Sequence, residues 1–430
     1  MSALPSLGSL HDDPVVPDGR AAGEAPAVTV ARLLAGPPLG DGPESLVAHR
    51  ARVGPLPDLG GADFIEALSD SGLSGRGGAA FPTGTKWRAV AGRSHGNAVV
   101  VANGAEGEPA SRKDRLLMAT RPHLVLDGAV LAARATRARE VILFVNRTFS
   151  DGIAALRTAC AERGGSDGVA IRLVEAPNLY VAGEETAAIR IIEGGRPLPQ
   201  PVPPRPFESG VDGRPTLVQN VETLAHAALI ARHGAAWFRE VGTAQNPGSV
   251  LLSVTGVDGQ VHVVEAAPGT AIGAITGQLG LDLASLRAVL LGGGFGGYVP
   301  GPIAAAAPLS DSALAALGAS LGSGIVQVVR PDACGLAEGT RLVRYLAGQS
   351  AGQCGPCVRG LSSMAATLEQ LVQGRQRWRG EVEKLRRWAG QVEGRGACHH
   401  PDGAIRVVLS IVATFGDEIE RHARSGPCAI

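Results

Sequence analysis

Aromatic residues, lysine and cysteine are scarce in this 430-residue chain. Aromatic residues account for 3% of it, lysine occurs three times and cysteine six times. The chain also lacks an excess of charge of one sign, because 40 basic residues balance 40 acidic ones. This balance excludes nucleic acid and anionic membrane surfaces as the main partners.

Long apolar runs are missing from the sequence as well. No run reaches the length of a membrane span, and the first residues lack the basic stretch and apolar core of a signal peptide. We therefore predict a cytoplasmic protein without membrane insertion, with peripheral docking on a membrane complex left open. In a reducing compartment, the six cysteines are expected to be ligands or buried thiols rather than disulfides.

What the chain does contain is typical of a loop-rich α/β protein, with 60 glycines and 45% hydrophobic residues. Its length exceeds what one hydrophobic core serves. Apolar strand patterns alternate with helical ones after residue 97, which predicts a parallel sheet covered on both faces. We predict, in chain order, a flexible leader (1–50, with one short helix near 28–34), an α/β domain (51–245), a small β-grasp-like domain (246–330) and a helical bundle (331–430).

The segment 75–87, GRGGAAFPTGTKW, has the composition of an anion-binding loop. Glycines let backbone N–H groups approach an anion closely, and basic side chains neutralise it. An aromatic face can stack on a ring. We predict a phosphate-bearing, ring-containing ligand such as a flavin nucleotide, and an ordinary surface loop is the alternative. The candidate residues are Gly75, Arg76, Gly77, Gly78, Phe81 and Lys86.

Three later segments carry further polar candidates. Segment 103–115 follows a predicted strand, and ligands of open α/β sheets bind at the carboxyl ends of strands. Segment 180–194 has a tight turn before two acids, which are expected either to cap a helix or to bind hydroxyl and amide groups. Segment 215–224 is predicted to enter a helix through polar residues. The candidates in these segments are Asn103, Glu106, Glu108, Tyr180, Gly183, Glu184, Glu185, Gln219 and Asn220.

Three of the cysteines have the spacing of a metal-binding site. Cys354 and Cys357 form a CxxC pair, and Cys398 follows about forty residues later. Such a pair is redox-active, half of a zinc site or half of an iron–sulfur site. We predict an iron–sulfur cluster, with zinc held partly by His399 or His400 as the second interpretation.

In this order, the segments resemble the NADH-binding flavoprotein subunit of respiratory complex I. They also resemble the diaphorase subunits of NAD-linked hydrogenases and formate dehydrogenases. The likeness extends from about residue 60 to about residue 415, through GRGGAAFPTGTKW, NGAEGEP, YVAGEET, RPTLVQNVETL and SAGQCGPC. It implies a Rossmann-like FMN domain, a ubiquitin-like (β-grasp) domain and a helical bundle that holds a [4Fe-4S] cluster. In the family, NADH passes a hydride to FMN, and electrons leave singly through the cluster.

The resemblance also assigns roles to individual residues. Glu106 is expected among the cofactor-binding residues of the loop after the first strand. Phe81, Glu108 and Glu185 would contact NADH, with the two acids positioning the nucleotide. FMN would contact Gly75, Arg76, Gly77, Gly78, Lys86, Asn103, Tyr180, Gly183, Glu184, Gln219 and Asn220.

The chain departs from the family at the predicted cluster. Ala351 stands where the family has its first cysteine, which leaves Cys354, Cys357 and Cys398. Three ligands can hold a [3Fe-4S] cluster, or a [4Fe-4S] cluster whose fourth iron takes another ligand. The candidates for that ligand are Ser350, His399, Cys334 and water.

The chain also departs from the family around the predicted nucleotide site. Ala89 replaces a family aromatic, Ala105 replaces an acid, and Val202 and Arg205 stand where the family has Lys and Phe. Loss of an aromatic face removes about 1 kcal/mol of stacking. Arg205 is also placed to pair with the extra phosphate of NADPH. The sequence thus does not decide whether the site binds NADH, NADPH or no nicotinamide nucleotide.

The leading hypothesis is an NAD(P)H-oxidising flavoprotein that passes electrons through an iron–sulfur cluster to a partner. That partner is expected to be a [2Fe-2S] subunit, a ferredoxin or a membrane reductase. The first alternative is an electron-transfer or assembly subunit that keeps the flavin and the cluster but does not bind NADH. The second is a zinc-binding structural subunit.

Overall fold

A four-stranded parallel sheet forms the centre of the first domain. The computed structural model describes residues 30–374 and 377–428. The strand order is β3-β2-β1-β4, and the apolar run of β1 is buried on both faces. In register, Asn103 of β1 lies beside Asn220 of β4. The strands are β1 (Ala98–Gly104), β2 (Ala138–Asn146), β3 (Ala170–Ala176) and β4 (Thr216–Asn220).

Strand β4 corrects the expectation that segment 215–224 simply enters a helix. Its five residues pair with β1, and a helix begins directly at Val221. A strand this short gives little periodic signal, and its last two residues are polar. The sheet therefore has one more strand than the sequence pattern predicted.

Helices cover both faces of this sheet. Helix α5 is almost entirely buried, because it packs between the sheet and α8. Gly128 allows this packing, since a Cβ atom there would lie 1.9 Å from the carbonyl oxygen of Leu224. The helices are α1 (Leu46–Val53), α2 (Gly61–Ser71), α3 (Thr83–Ser94), α4 (Lys113–Thr120), α5 (Pro122–Thr136), α6 (Ser150–Arg163), α7 (Glu185–Ile192) and α8 (Val221–Arg239).

A mixed five-stranded sheet follows, in the order β6-β5-β9-β7-β8. Strand β9 lies parallel to β5 in the middle of the sheet, and the other pairs are antiparallel. This arrangement confirms the predicted β-grasp-like sheet. Its elements are β5 (Val250–Thr255), β6 (Val261–Ala266), α9 (Ile272–Gly277), β7 (Ala288–Leu291), β8 (Gly297–Pro300), α10 (Gly301–Ala306), α11 (Asp311–Ala316) and β9 (Ile325–Val328).

The last part of the chain is helical, as predicted. Its last two helices meet at Phe415, where the chain bends. A π-helical turn, Pro356–Leu361, leads into α13, and such turns are frequent at functional sites. The helices are α12 (Gly335–Gly348), α13 (Ser362–Val372), α14 (Trp378–Val392), α15 (His400–Thr414) and α16 (Gly416–Ser425).

Residues 30–50 correct the prediction of a flexible leader. Leu33 is fully buried, and the backbone N–H groups of residues 32–34 donate to the Glu265 carboxylate of β6. No helix forms over residues 30–34, and the rest of the expected helix and leader lies outside the described residues. Because the segment has weak periodicity, its sequence did not predict that residues 32–34 connect the first two domains.

Among the described residues, no single helix has the length and apolar composition of a membrane span. Helices α4 and α5 meet that test only as a pair, bent by 97°. Both contribute buried residues to the core of the first domain.

We predict opposite effects for two Gly→Ala substitutions in helices. Gly128→Ala should destabilise the first domain by about 1–3 kcal/mol or more, because the methyl group overlaps the backbone of α8. Gly92→Ala on α3 meets nothing within 4 Å and should add about 0.5–1 kcal/mol of helix propensity. Thermal unfolding of both variants measures the difference, and equal Tm values would contradict the close packing at Gly128.

Candidate functional site

The chain changes direction in the first sheet between β1 and β4. It runs outward from β1 to β2 and β3, and then returns to the other side of β1. Ligands of open α/β sheets bind in the crevice at such a switch point. Here the crevice carries two amides: Asn103 donates to Gly183 O at 2.9 Å, and Asn220 donates to the Asp114 carboxylate at 2.7 Å.

The glycine-rich loop lies against the ends of these strands. A bridge between Ser74 and Pro82 closes the loop, and Gly75 N–H donates to Phe81 O at 2.9 Å. A Cβ atom on Gly77 would touch the Asn220 side chain at 3.4 Å. Gly78 has φ +103°, a conformation that favours glycine. The loop backbone is therefore brought to the switch point, as predicted from its glycines.

The basic side chain of Lys86 faces the same region. Lys86 on α3 forms an ion pair with Glu185, the first residue of α7, at 2.9 Å. Its neighbour Trp87 donates through Nε1 to Gln219 at 3.3 Å, so the side chain of Gln219 has a protein partner. Phe81 is 52% exposed and presents an open aromatic face. Helix α3 thus holds a cation and the end of the glycine-rich loop in one place.

Two candidate residues have protein partners that account for their side chains. The Arg76 guanidinium is buried and donates to Pro247 O at 3.3 Å and Ser249 O at 3.2 Å. Glu106 accepts from Ser111 and from the first N–H groups of α4. Burial and the nearby Asp114 raise the pKa of Glu106. Their predicted contacts with a ligand stay predictions.

The paired acids Glu184 and Glu185 were expected either to cap a helix or to bind hydroxyl and amide groups, and the structure leaves room for both roles. The Glu184 carboxylate accepts from Thr186 N at 3.0 Å and Ala187 N at 2.8 Å, which makes it the N-cap of α7. Burial raises the pKa of this carboxyl. Glu185 is left to pair with Lys86. One acid thus fixes the helix, and the other faces the glycine-rich loop.

Glu108 connects this region to the rest of the molecule. Its carboxylate accepts from Tyr180 OH at 2.6 Å and from Gly294 N at 2.9 Å. Burial raises the pKa of Glu108 to about 7. The Tyr180 ring lies 5.1 Å from the ring of His400 and 6.0 Å from that of Phe295. Sequence reasoning missed Gly294, although the glycine run 292–297 was a visible signal, and it named His400 only as a possible zinc ligand.

The three predicted cysteines line one cavity. Ala397 N–H donates to Cys354 Sγ at 3.4 Å, and hydrogen bonds of this kind tune iron–sulfur clusters. Burial raises the pKa of Cys357, and it raises that of Cys398 to about 11. Ser350, Ala351 and Val181 also line the cavity, and Val181 belongs to the 3-10 turn Tyr180–Gly183.

The donor set of this cavity suits an iron–sulfur cluster. Three thiols surround one space, as cluster ligation requires. Among the described residues, the three sulfur atoms of the cavity do not form a group that lies wholly within 4.8 Å of one another. His399 is 91% exposed and pairs with Asp402 at 3.1 Å. Of the two histidines in the zinc interpretation, His399 therefore faces solvent, whereas His400 lines the cavity.

The candidates for a fourth ligand differ in position. Ser350 lies in the cavity wall, whereas His399 faces solvent. Cys334 was also a candidate, but its sulfur lies beside His422 and Cys428 instead of the cavity. His400 lines the cavity while its Nε2 contacts Leu346 O at 2.8 Å. Ser350 and water remain as candidates.

The switch point also suits a flavin nucleotide. At Gly183 a Cβ atom would lie 2.7 Å from Ala105 O, so only glycine lets this turn approach the end of β1. A cleft of about 460 Å³ flanks the glycine-rich loop and is lined by Ser323, whose buried hydroxyl has no partner. The Lys86 ammonium has three N–H donors, of which the ion pair with Glu185 uses one, so it offers donors to a ligand. These features are those expected of a phosphate and ring cradle.

Comparisons with known families agree with this geometry. Residues 68–228 match the family described as the Nuo51 FMN-binding domain. Residues 338–422 match the NADH-ubiquinone oxidoreductase-F iron-sulfur binding region. The first match contains the switch point and the glycine-rich loop, and the second contains all three cysteines of the cavity.

Several bacterial relatives extend the likeness over most of the chain. The F subunit of NADH-quinone oxidoreductase from Rickettsia bellii is 30% identical over 372 residues, which cover 83% of this chain and 89% of the relative. The chain belongs to this NADH-quinone oxidoreductase family. The corresponding protein of Mycobacterium tuberculosis is 32% identical over 390 residues, covering 85% of this chain and 86% of that one. An F subunit of the same enzyme in Rhizobium meliloti is 34% identical, with coverage of 84% and 86%.

A solved structure shares the fold of this member of the NADH-quinone oxidoreductase family. It is an NAD+-reducing [NiFe]-hydrogenase in the air-oxidized state, with 32% identity and a TM-score of 0.77. The match covers 84% of this chain and 62% of the hydrogenase chain, so the chain spans less than two thirds of that protein's length. The same hydrogenase in the H2-reduced state gives a TM-score of 0.76.

We predict that Glu108 makes stability depend on pH. The pKa of Glu108 is raised from 4.5 to about 7 in the folded protein. Its contribution to the free energy of unfolding is therefore fully present below about pH 4.5 and is lost as the pH rises through about 7. Glu108→Gln should therefore gain stability relative to the wild type between about pH 5 and pH 8, on the order of 2 kcal/mol. Thermal unfolding across this range measures the change. The exposed Glu66→Gln on α2 is the control, and parallel curves for Glu108→Gln and the wild type would contradict the raised pKa.

Proposed function

We propose that this chain is an NADH-oxidising flavoprotein subunit of an electron-transfer complex. FMN would bind at the ends of β1 and β4, and an iron–sulfur cluster would bind in the cysteine cavity. When bound, FMN would supply the redox chemistry: a flavin can accept a hydride from a nicotinamide and release the two electrons one at a time. The observation that carries the proposal is the short turn Tyr180–Gly183, which contacts both places at once.

The chain's own residues would bind and orient the flavin and the nucleotide at the switch point. Backbone N–H groups of the glycine-rich loop and the Lys86 ammonium favour a phosphate there. Glu185 holds Lys86 at 2.9 Å and adds an acceptor for the hydroxyl or amide groups of a nucleotide. Phe81, exposed at the rim, offers a face for the nicotinamide ring. Asn103 and Asn220 supply amides on the strand ends.

The turn between the two places supports electron transfer from one to the other. Asn103 contacts Gly183 at one end of the turn, and Val181 lines the cysteine cavity. Tyr180 is fixed by Glu108 and packs on His400 at the edge of that cavity. The spacing of the two places is thus set by four consecutive residues.

Electrons that reach the cluster need an acceptor outside this chain. The names of the relatives describe subunits of larger enzymes, which favours a partner subunit in a complex. A [2Fe-2S] subunit, a ferredoxin and a membrane reductase are the partner classes that fit one-electron transfer. The cytoplasmic location, with peripheral docking on such a complex, stays a prediction.

An anaerobic absorption spectrum tests the proposed function. We expect bound flavin whose absorption bleaches on addition of NADH, and NADPH is the second nucleotide to test because Arg205 stands in the family's nucleotide segment. Glu185→Gln should keep the flavin but lower kcat/KM for the nucleotide about tenfold or more, since it loses the ion pair with Lys86 and a charged acceptor. Glu66→Gln is the matched control. Flavin that stays oxidised with both nucleotides would contradict the proposal and favour an electron-transfer subunit that binds neither.

A second experiment concerns the missing family cysteine. Ala351→Cys should complete a four-cysteine set, because Ala351 lines the same cavity as the other three. The wild type should then give the EPR signal of a three-iron cluster after mild oxidation, whereas Ala351→Cys should keep four irons per chain. Ala351→Val, which adds a side chain of similar size without a ligand atom, is the control. Identical iron content and EPR spectra in all three proteins would contradict an open ligand position at Ala351.

A further inference from the structure

Three ligand side chains meet at one end of the helical bundle, apart from the cysteine cavity. Cys334 precedes α12, His422 lies on α16, and Cys428 follows that helix. Their ligand atoms all lie within 4.8 Å of one another. His422 Nε2 is 3.6 Å from Cys334 Sγ and 3.0 Å from Cys428 Sγ. None of the three lines the cavity of the predicted cluster.

The imidazole of His422 is oriented for ligation. Its Nδ1 lies 2.9 Å from Val372 O, a carbonyl that accepts but cannot donate. This contact places the proton on Nδ1 and leaves Nε2 as an acceptor, which receives a hydrogen bond from Cys428 N–H at 3.3 Å and lies close to both sulfur atoms. Metal-binding histidines are usually held in this way by a hydrogen bond from the second nitrogen.

The surroundings of the two thiols also fit a cation site. Cys334 is 6% exposed, and its Sγ is 3.4 Å from Glu418 Oε2, which also accepts from Leu336 N at 2.7 Å. Arg421 Nη1 lies 3.0 Å from Cys428 Sγ. Cys428 is only partly buried, which gives an ion access from solvent.

We propose that Cys334, His422 and Cys428 bind one Zn²⁺ ion. Two sulfur atoms and an imidazole nitrogen are the donors that zinc prefers, and all three lie within 4.8 Å of one another, close enough to share one ion after small side-chain shifts. Each thiol that is protonated releases its proton as its Zn–S bond forms, and nothing is oxidised or reduced. The fourth position has no protein ligand among the described residues and takes water.

This site is separate from the proposed electron-transfer function. The iron–sulfur family region covers residues 338–422, so Cys334 and Cys428 lie outside it. The ion would join the start of α12, the last helix and the segment after it. Because these parts are far apart in the sequence, a bound ion would stabilise the bundle without touching the path between flavin and cluster.

Zinc content of the anaerobically purified holoprotein tests the proposal. After incubation with Zn²⁺ and desalting, the wild type should hold one zinc ion per chain in addition to its iron. Cys428→Ser should lose this zinc and keep its iron, whereas Cys354→Ser should lose iron and keep the zinc. Cys160→Ser, which changes a cysteine of α6 in the first domain, is the control for thiol loss in general.

Two further measurements use the same proteins. With Co²⁺ in place of zinc, the wild type should show a sulfur-to-cobalt charge-transfer band that Cys428→Ser lacks. A zinc chelator should lower the Tm of the wild type and leave that of Cys428→Ser unchanged. A wild type without zinc, zinc retained in Cys428→Ser, or a Cys334–Cys428 disulfide in the anaerobic protein would each overturn the proposal. None of these outcomes bears on flavin reduction by NADH.

Discussion

The carboxyl group of Glu108 lies where the three parts of the chain meet. It follows β1 of the first domain, accepts from Gly294 of the second and holds Tyr180, whose ring packs on His400 of the helical part. A buried carboxyl group is costly unless hydrogen-bond donors reach its oxygen atoms, and here Tyr180 OH and Gly294 N–H are those donors. Glu108 therefore helps to fix the relative placement of the switch point and the cysteine cavity, together with the turn Tyr180–Gly183 that it holds.

Much of the candidate site could be predicted because its signals are local. The continuous apolar run of β1 predicted a buried strand, and Asn103 at its end predicted a place in the crevice. The glycine-rich loop and the CxxC pair carry their chemistry within a few residues. For these segments, composition and spacing alone decide the local structure, and the family resemblance supplies their arrangement.

The rest depends on contacts between residues far apart in the chain. Arg76 was predicted to neutralise an anion, but its guanidinium donates to carbonyls some 170 residues away. Residues 30–50 carry little periodicity, since their order comes from Glu265 and the core rather than from an amphipathic pattern. Likewise, Cys334 has no nearby cysteine or histidine in the sequence, and its neighbours are brought to it only by the fold.

The turn Tyr180–Gly183 limits how this protein can change in evolution. One face of the turn belongs to the crevice of the first sheet and another to the cysteine cavity, with no spacer between them. A recombination event cannot exchange one of these halves and keep the other, because the shared residues would have to satisfy both neighbours at once. The two halves therefore have to change together as a single unit. Variation such as the loss of a cysteine at position 351 must arise by point substitution within it.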